Sequence, residues 1–327
     1  GRRWGQRDGP LADTGTLLHT SAWLEDSTHL TACTIPLLPG TPPGQYWLAL
    51  GLYRLDDLSR LNIIEGGEQT GATELKLGPF TVTRAAVPPA VSELGIPHAL
   101  EAQLGPAVQL LGYALDGESF RSGEELPLTL FWRCVEAPGA PYTLSLRLAR
   151  EGETVAEGRF APAGPGYPSE RWQAGDILRW PQSLTIPPEA QSGLYDLYAN
   201  LCGPDGEPLE AQEVRLAQVQ VEHMARRFEV PPMQTALSAT LGEPVQLLGY
   251  DLQETSARPG DTLHLTLYWK ALKPSAVPYT VFTHLLDAQG AVRGQRDGVP
   301  VNGERSTTGW VAGEVISDAY EIPVNAD

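Results

Sequence analysis

One stretch of about forty residues occurs twice in this chain, and this duplication constrains the fold more than any other feature. Residues 108–148 read VQLLGYALDGESFRSGEELPLTLFWRCVEAPGAPYTLSLRL, and residues 245–285 read VQLLGYDLQETSARPGDTLHLTLYWKALKPSAVPYTVFTHL. The offset is a constant 137 without a gap, and 19 of the 41 aligned positions are identical. Both copies should therefore form the same structural unit in the same register.

A second motif follows the first and occurs three times. It consists of a Trp, a Gly or acidic residue, and an Ile-Pro pair, at Trp23…Ile35-Pro36, Trp172…Ile186-Pro187 and Trp310…Ile322-Pro323. A Gly-x-Tyr segment follows the first two copies, from Gly44 and Gly193, whereas the third copy stops at Asp327. The pentapeptide GQRDG occurs at 5–9 and 294–298, which we interpret as one equivalent place in two copies. Because it recurs, it is predicted to be a structural turn with a local ion pair.

These repeats divide the sequence into three units and two linkers. We expect the back half of a repeat at 1–84, a linker at 85–105, a complete repeat at 106–222, a second linker at 223–243 and the front half of a repeat at 244–327. We call the three repeats the first, second and third unit. Each linker contains a Val-Pro-Pro sequence, which interrupts regular structure and stiffens the connection.

The alternation of apolar residues predicts an all-β fold. LPLTLFW and LHLTLYW place Leu126, Leu128, Leu130 and Trp132, and their equivalents, on one face of a half-buried strand. About seven or eight short strands in about 120 residues, with frequent Gly, Pro and Asp turns, are typical of a β-sandwich. We predict tandem immunoglobulin-like β-sandwich domains joined by the Pro-rich linkers.

Aromatic residues and cysteines are the remaining candidates for special roles. The repeated Trp residues, including Trp23, are expected to fill sandwich cores. Four aromatic residues outside the repeated pattern are candidates for contacts between domains or for stacking on a glycan: Trp4, Trp47, Tyr53 and Trp180. Cys33 is expected to fill core space, whereas Cys134 and Cys202 are expected on opposite faces and therefore unbridged.

Composition and motifs argue against several classes of function. The net charge of −17 disfavours nucleic acid and anionic membrane surfaces as partners. No apolar stretch is long enough to span a membrane. The six His and three Cys show no metal-ligand spacing, and no nucleophile or phosphate-loop motif is present. We therefore expect no catalytic residue, no cofactor and no metal site.

The segment from RRFEVPPMQ through LGEPVQLLGYDL, RPGDTLHLTLYWKAL, GQRDG and GEVISDAYEIPV resembles a known family of repeats. These are extracytoplasmic β-sandwich repeats at the C-terminal ends of bacterial membrane proteins similar to dolichyl-phosphate-mannose-type glycosyltransferases, and in related large surface proteins. The resemblance covers 226–327 best, 106–222 less well, and 1–84 in part. Its motifs concern packing and turns, so it implies no catalytic residue.

These observations together predict a non-catalytic extracellular or cell-surface protein that builds an array or filament by head-to-tail contacts. Its partners would be further copies of itself or flanking domains of a longer chain, because a half sandwich exposes a sheet edge and an apolar face. Two alternatives stay open. One is a carbohydrate-binding accessory domain of a membrane glycosyltransferase, with a glycan as the ligand, and the other is a hydrolase with a scattered pair of carboxylates.

Overall fold

The computed structural model describes residues 3–9, 23–24, 26–30, 32–54, 60–66, 68–70, 72–275 and 277–326. Within these ranges the regular structure consists of β-strands and three short 3₁₀ turns, at Val91–Leu94, Ser169–Arg171 and Thr307–Gly309. The prediction of an all-β chain is thus confirmed.

The first unit contains four strands in the described residues: β1 (Gly44–Leu50), β2 (Ile64–Glu65), β3 (Glu68–Gln69) and β4 (Leu75–Val82). β1 pairs with β4, and the two-residue strands β2 and β3 pair with each other. Tyr46, near the start of β1, donates a hydrogen bond from its hydroxyl to the carbonyl of Pro42 at 2.7 Å. Burial raises the pKa of Tyr46 to about 12, so this hydroxyl keeps its proton.

The second segment of the chain folds into two facing sheets. Its strands are β5 (His98–Gln103), β6 (Val108–Leu115), β7 (Ser119–Arg121), β8 (Glu125–Cys134), β9 (Thr143–Arg150), β10 (Glu153–Phe160), β11 (Ile177–Thr185), β12 (Gly193–Cys202) and β13 (Val214–Glu222). One sheet has the order β11-β8-β6-β5 and the other β10-β9-β12-β13-β7. The alternating leucines of β8 and β9 are buried between them, together with Trp132 and Trp172. Burial of these apolar side chains is the main source of stability.

The third unit contains β14 (Thr235–Leu241), β15 (Val245–Leu252), β16 (Thr262–Ala271), β17 (Val281–Leu286), β18 (Val292–Gly298) and β19 (Val315–Pro323). Its sheet β14-β15-β16-β19 repeats the register of β5-β6-β8-β11. For example, His98 pairs with Tyr113 and Thr235 with Tyr250, both 137 residues later. The predicted shared register of the two copies is therefore confirmed over this sheet. Strands β5 and β14 lie within the segments that we predicted to be linkers.

The alignment of the Ile-Pro motifs between the second and third units is corrected by strand pairing. Leu184 pairs with Leu126, whereas Ile322 pairs with Leu263, which is 137 residues after Leu126. Ile322 therefore corresponds to Leu184 and not to Ile186. A shift of two residues keeps each side chain on the same face of its strand, so the sequence pattern could not detect it.

The GQRDG segment is not a turn in the third unit, because Gly294–Gly298 forms the end of β18. A Cβ on Gly294 would collide with the carbonyl oxygen of Pro323, and one on Gly5 would collide with that of Pro36. The first glycine of each copy is therefore needed where two backbones approach closely. The predicted local ion pair is replaced by a contact across the hairpin, since Asp297 lies 3.4 Å from His284.

The burial of the repeated aromatic residues follows the prediction in four positions and departs from it in one. Trp132, Trp172, Trp269 and Trp310 are buried, as expected. Trp23 is 37% exposed, because the described part of the first unit includes no second sheet that could cover it.

The expectations for two cysteines are wrong. Cys33, predicted to fill core space, is exposed. Cys202, predicted to point outward, is buried, because the turn that follows β12 returns Pro208 to form a bridge with it. All three cysteines are free, which agrees with the expectation that Cys134 and Cys202 are not bridged.

Candidate functional site

The four aromatic candidates lie in two different settings. Trp4 packs against Trp180 of the second unit, with ring centroids 5.2 Å apart, and against the edge of Tyr46 at 5.9 Å. These three rings form one cluster where the first and second units meet. Trp47 and Tyr53 remain 57% and 43% exposed.

The segment between the second and third units supplies an arginine that is almost completely buried. Arg226 has a side chain that is 7% exposed and lies 2.6 Å from the carboxylate of Glu314, which is 1% exposed. It also donates hydrogen bonds to the carbonyls of Ser122 at 2.7 Å and Gly309 at 3.0 Å. A single guanidinium therefore joins the connecting segment to both adjacent units.

Glu314 is compensated from several directions. Its second carboxylate oxygen contacts Arg305, and the backbone N–H of Val311 donates to it at 3.1 Å. A carboxylate removed from water is stable only when its charge is paired and its oxygens are hydrogen-bonded. Next to this group, the backbone N–H of Val315 donates to the carbonyl of Arg227 at 2.7 Å. We call the contacts of Arg226 and Glu314 the second joint.

A related arrangement occurs between the first and second units. Arg84, which precedes the first Val-Pro-Pro sequence, donates to Asp176 at 2.5 Å, and the Asp176 side chain is 5% exposed. Asp176 also accepts hydrogen bonds from the Tyr167 hydroxyl at 2.8 Å and the Gln173 N–H at 2.9 Å. The hydrogen bond to Asp176 raises the pKa of Arg84, and burial together with Asp176 raises that of Tyr167. We call this group the first joint.

The two joints occupy the same place in their units. Asp176 directly precedes β11 and Glu314 directly precedes β19, the strands that occupy the same edge of equivalent sheets. The carbonyls of Asp176 and Glu314 accept from Cys134 and Ala271, both at 2.9 Å. Those two acceptors are 138 residues apart and the two donors 137, so the backbone geometry is repeated along with the charge.

Apolar and backbone contacts add to the first joint. Leu94, in the 3₁₀ turn between the units, is buried against Leu111 and Phe131 on the outer face of the second unit. The backbone N–H of Arg179 donates to the carbonyl of Gly40 at 2.8 Å. The connecting segment is thus packed onto the unit that follows it.

The second joint borders two cavities, of about 200 and about 490 Å³. Both contain Met224, Glu304 and Arg305 in their walls, so acidic and basic groups alternate there. Among the residues that the structure describes, no group of three or more His, Cys, Asp or Glu side chains could hold a metal ion. No helix in the same part of the chain is long and apolar enough to cross a membrane.

Neither joint was predicted from the sequence. A signal was nevertheless present, because an acidic residue follows the repeated Trp by four positions in two copies, at Asp176 after Trp172 and Glu314 after Trp310. The partner arginines lie about 90 residues away in the chain, at 84 and 226. Only the folded structure brings them to the carboxylates.

Comparison with known proteins does not assign the chain to a family. No family model matches it, and no curated protein sequence is similar to it. The resemblance to the extracytoplasmic repeats of membrane glycosyltransferases therefore stays a prediction.

Proposed function

We propose that this chain is a non-catalytic structural protein outside the cytoplasm, in which tandem immunoglobulin-like units are held at fixed angles to form part of an array. The observation that carries the proposal is the repeated joint, where an arginine from the connecting segment pairs with a buried carboxylate of the next unit. The extracellular location follows from the resemblance of the sequence to extracytoplasmic repeats.

The immunoglobulin-like assignment has support from one local feature. Tyr195 donates from its hydroxyl to the carbonyl of Gln191 at 2.8 Å, as Tyr46 does to Pro42. Such a tyrosine, bonded to backbone a few residues upstream at the start of a strand, is typical of immunoglobulin-like sandwiches. The hairpins that follow the two tyrosines also begin alike, with Gly44 opposite Val82 and Gly193 opposite Val221.

Fixed joints favour a structural role because adjacent domains normally move relative to each other. A flexible chain would need neither a buried arginine nor a buried carboxylate between units, since each is costly to remove from water. Holding these charges in one geometry therefore makes sense only where the angle between units matters.

The proposal can be tested by small-angle X-ray scattering on the full chain. We expect the wild-type profile to fit one conformation, whereas a double variant, Arg84→Ala with Arg226→Ala, should need a broad ensemble. Arg215→Ala is the matched control, because Arg215 pairs with Asp196 inside the second unit and touches neither joint. A wild-type profile that already requires the broad ensemble would contradict the proposal.

A carbohydrate-binding role is the second candidate, and the exposure of Trp47 favours it. An indole that is 57% exposed on the outer face of a strand can stack on a sugar ring. Titration with oligosaccharides, followed by tryptophan fluorescence, should then give a saturable change that is lost in Trp47→Ala. Saturable binding by the wild type, lost in that variant, would favour the carbohydrate-binding role over the purely structural one.

A further inference from the structure

Two strands at opposite ends of the described chain each have an edge without a strand partner. β1 pairs with β4 alone and β17 pairs with β18 alone among the described residues. In the second unit the equivalents of these strands, β12 and β9, pair with each other. The first unit therefore presents one member of a strand pair, and the third unit presents the other.

The complete pair in the second unit supplies a register for the missing one. Tyr46 corresponds to Tyr195, and Val281 corresponds to Leu144, so each pair of β12 and β9 can be transferred to β1 and β17. The pair of Leu197 and Leu148 becomes Leu48 opposite Leu285. Alternation then places Leu48, Leu50 and Leu52 of the first unit on the inward face, where all three are now exposed.

The outward side chains of the two edges are apolar where those of the second unit are not. Trp47 would lie opposite Leu286, and Phe282 opposite Gly51. Trp47, Leu286 and Phe282 are 57%, 54% and 70% exposed. The second unit has Asp196, Ala149 and Ser145 at the equivalent positions of these three residues. An aromatic ring beside a glycine and a Trp–Leu pair both stabilise neighbouring strands.

We propose that β1 of one copy of this chain adds to β17 of a second copy, in the register of β12 and β9. This inference rests on the proposed array and names the contact between its members. Soluble proteins protect a free edge with lysine, proline or an inward charge, and β17, with the sequence VFTHLL, has none of these. Head-to-tail pairing of this kind leaves a free β1 and a free β17 at the two ends, so it can continue.

The pairing has a structural consequence for the incoming copy. In the first unit the N–H of Leu38 donates to the carbonyl of Trp4 at 2.9 Å, and in the third unit the N–H of Asn325 donates to that of Arg293 at 2.7 Å. These are equivalent contacts, and a joined sandwich has room for one of them. Residues 3–9 and 36–38 of the incoming copy should therefore move away, so hydrogen exchange at Leu38 should accelerate on assembly while Asn325 stays protected.

Disulfide trapping on the full chain tests the proposed register. In a Cys33→Ser background, Ala49→Cys and His284→Cys occupy opposed, exposed positions of β1 and β17. Mild oxidation of this variant should give a ladder of covalent oligomers. The matched control, Gln45→Cys with His284→Cys, is four residues out of register, or about 13 Å along the strand, and should give at least tenfold less. Each single-cysteine variant should stay uncrosslinked, whereas a covalent dimer of His284→Cys alone would show that β17 pairs with itself and overturn the proposal.

Sedimentation velocity on cysteine-free surfaces supplies the second measurement. We expect Phe282→Lys to abolish the concentration-dependent rise in mean mass, and Leu241→Lys, at an exposed apolar residue on β14 of the same unit, to leave it unchanged. A wild-type chain that remains monomeric at all concentrations, or ladders of equal intensity in and out of register, would overturn the inference. The proposed function would survive that result if the scattering experiment still showed fixed joints.

Discussion

Asp176 and Glu314 occupy one position in two copies of the same unit, and each forms an ion pair with an arginine that comes from the preceding connecting segment. The two carboxylates are 5% and 1% exposed. Each of them also accepts a hydrogen bond from a backbone N–H three residues earlier in the chain. A turn inside the unit thus holds each carboxylate in place, and the unit before it supplies the countercharge.

The first prediction concerns the carboxylate of the second joint. Glu314→Ala leaves Arg226 and Arg305 without their buried partner, so it should lower the free energy of unfolding of the third unit by about 3–5 kcal/mol. Chemical denaturation of the full chain measures this. Glu243→Ala is the control, because Glu243 pairs with Lys273 while its side chain is 82% exposed, and such exposed pairs contribute little. Equal effects of the two substitutions would show that the joint adds no stability.

The second prediction compares two equivalent glycines. Gly123 and Gly260 have φ values of +86° and +91°, so an alanine at either position carries a similar backbone strain of about 1–3 kcal/mol. A Cβ on Gly123 would also collide with the Arg226 guanidinium, whereas one on Gly260 meets nothing within 4 Å. Gly123→Ala should therefore destabilise the chain more than Gly260→Ala, as measured by the shift in denaturation midpoint. The reverse order would contradict the role of Arg226.

The third prediction concerns the cores of the second and third units. Trp132→Ala and Trp269→Ala should each cost about 3–5 kcal/mol, because the large cavities left behind cannot collapse fully. Trp132 is completely buried and Trp269 is 5% exposed, and the indole of Trp269 donates to the buried carboxylate of Asp318 at 3.1 Å. Thermal unfolding of each variant tests this, and an unchanged midpoint in either would refute its core assignment.

The fourth prediction concerns thiol reactivity. Cys33 is exposed and should react with Ellman's reagent in the native chain at pH 8, whereas Cys134 and Cys202 should react only on unfolding. Burial is the main reason that the pKa of Cys134 rises from 9.0 to about 11. The folded state then retains a proton that the unfolded state loses, so Cys134 should reduce stability as the pH rises from about 9 toward 11. Release of three equivalents at once from native protein would contradict these assignments.

The strands were predictable because their information is local. Leucine at every second position of 126–132 and 263–269 specifies which side chains face the core, and the same residues indeed lie inward in β8 and β16. The shared register followed because a gapless duplication cannot change pairing without exposing a whole apolar face.

The errors have a common physical cause. Trp23 and Cys33 were assigned to a core by motif, but burial depends on a covering sheet that a motif does not encode. The joints were missed for a similar reason, since Arg226 and Glu314 are 88 residues apart and nothing local indicates that they meet. Among the four aromatic candidates, the sequence could identify Trp4 and Trp180 individually, but only the fold brings their rings together.

The rigidity of the second joint is the central claim, and a distance distribution measures it directly. Spin labels at Glu153→Cys in the second unit and Gln289→Cys in the third, in a Cys33→Ser background, report the separation of two exposed positions by pulsed electron paramagnetic resonance. We expect one narrow distance peak in the otherwise wild-type chain and a clearly broader one after Arg226→Ala, which leaves Glu314 paired with Arg305 inside its unit. A broad distribution that Arg226→Ala does not change would contradict the fixed joint and the structural role built on it.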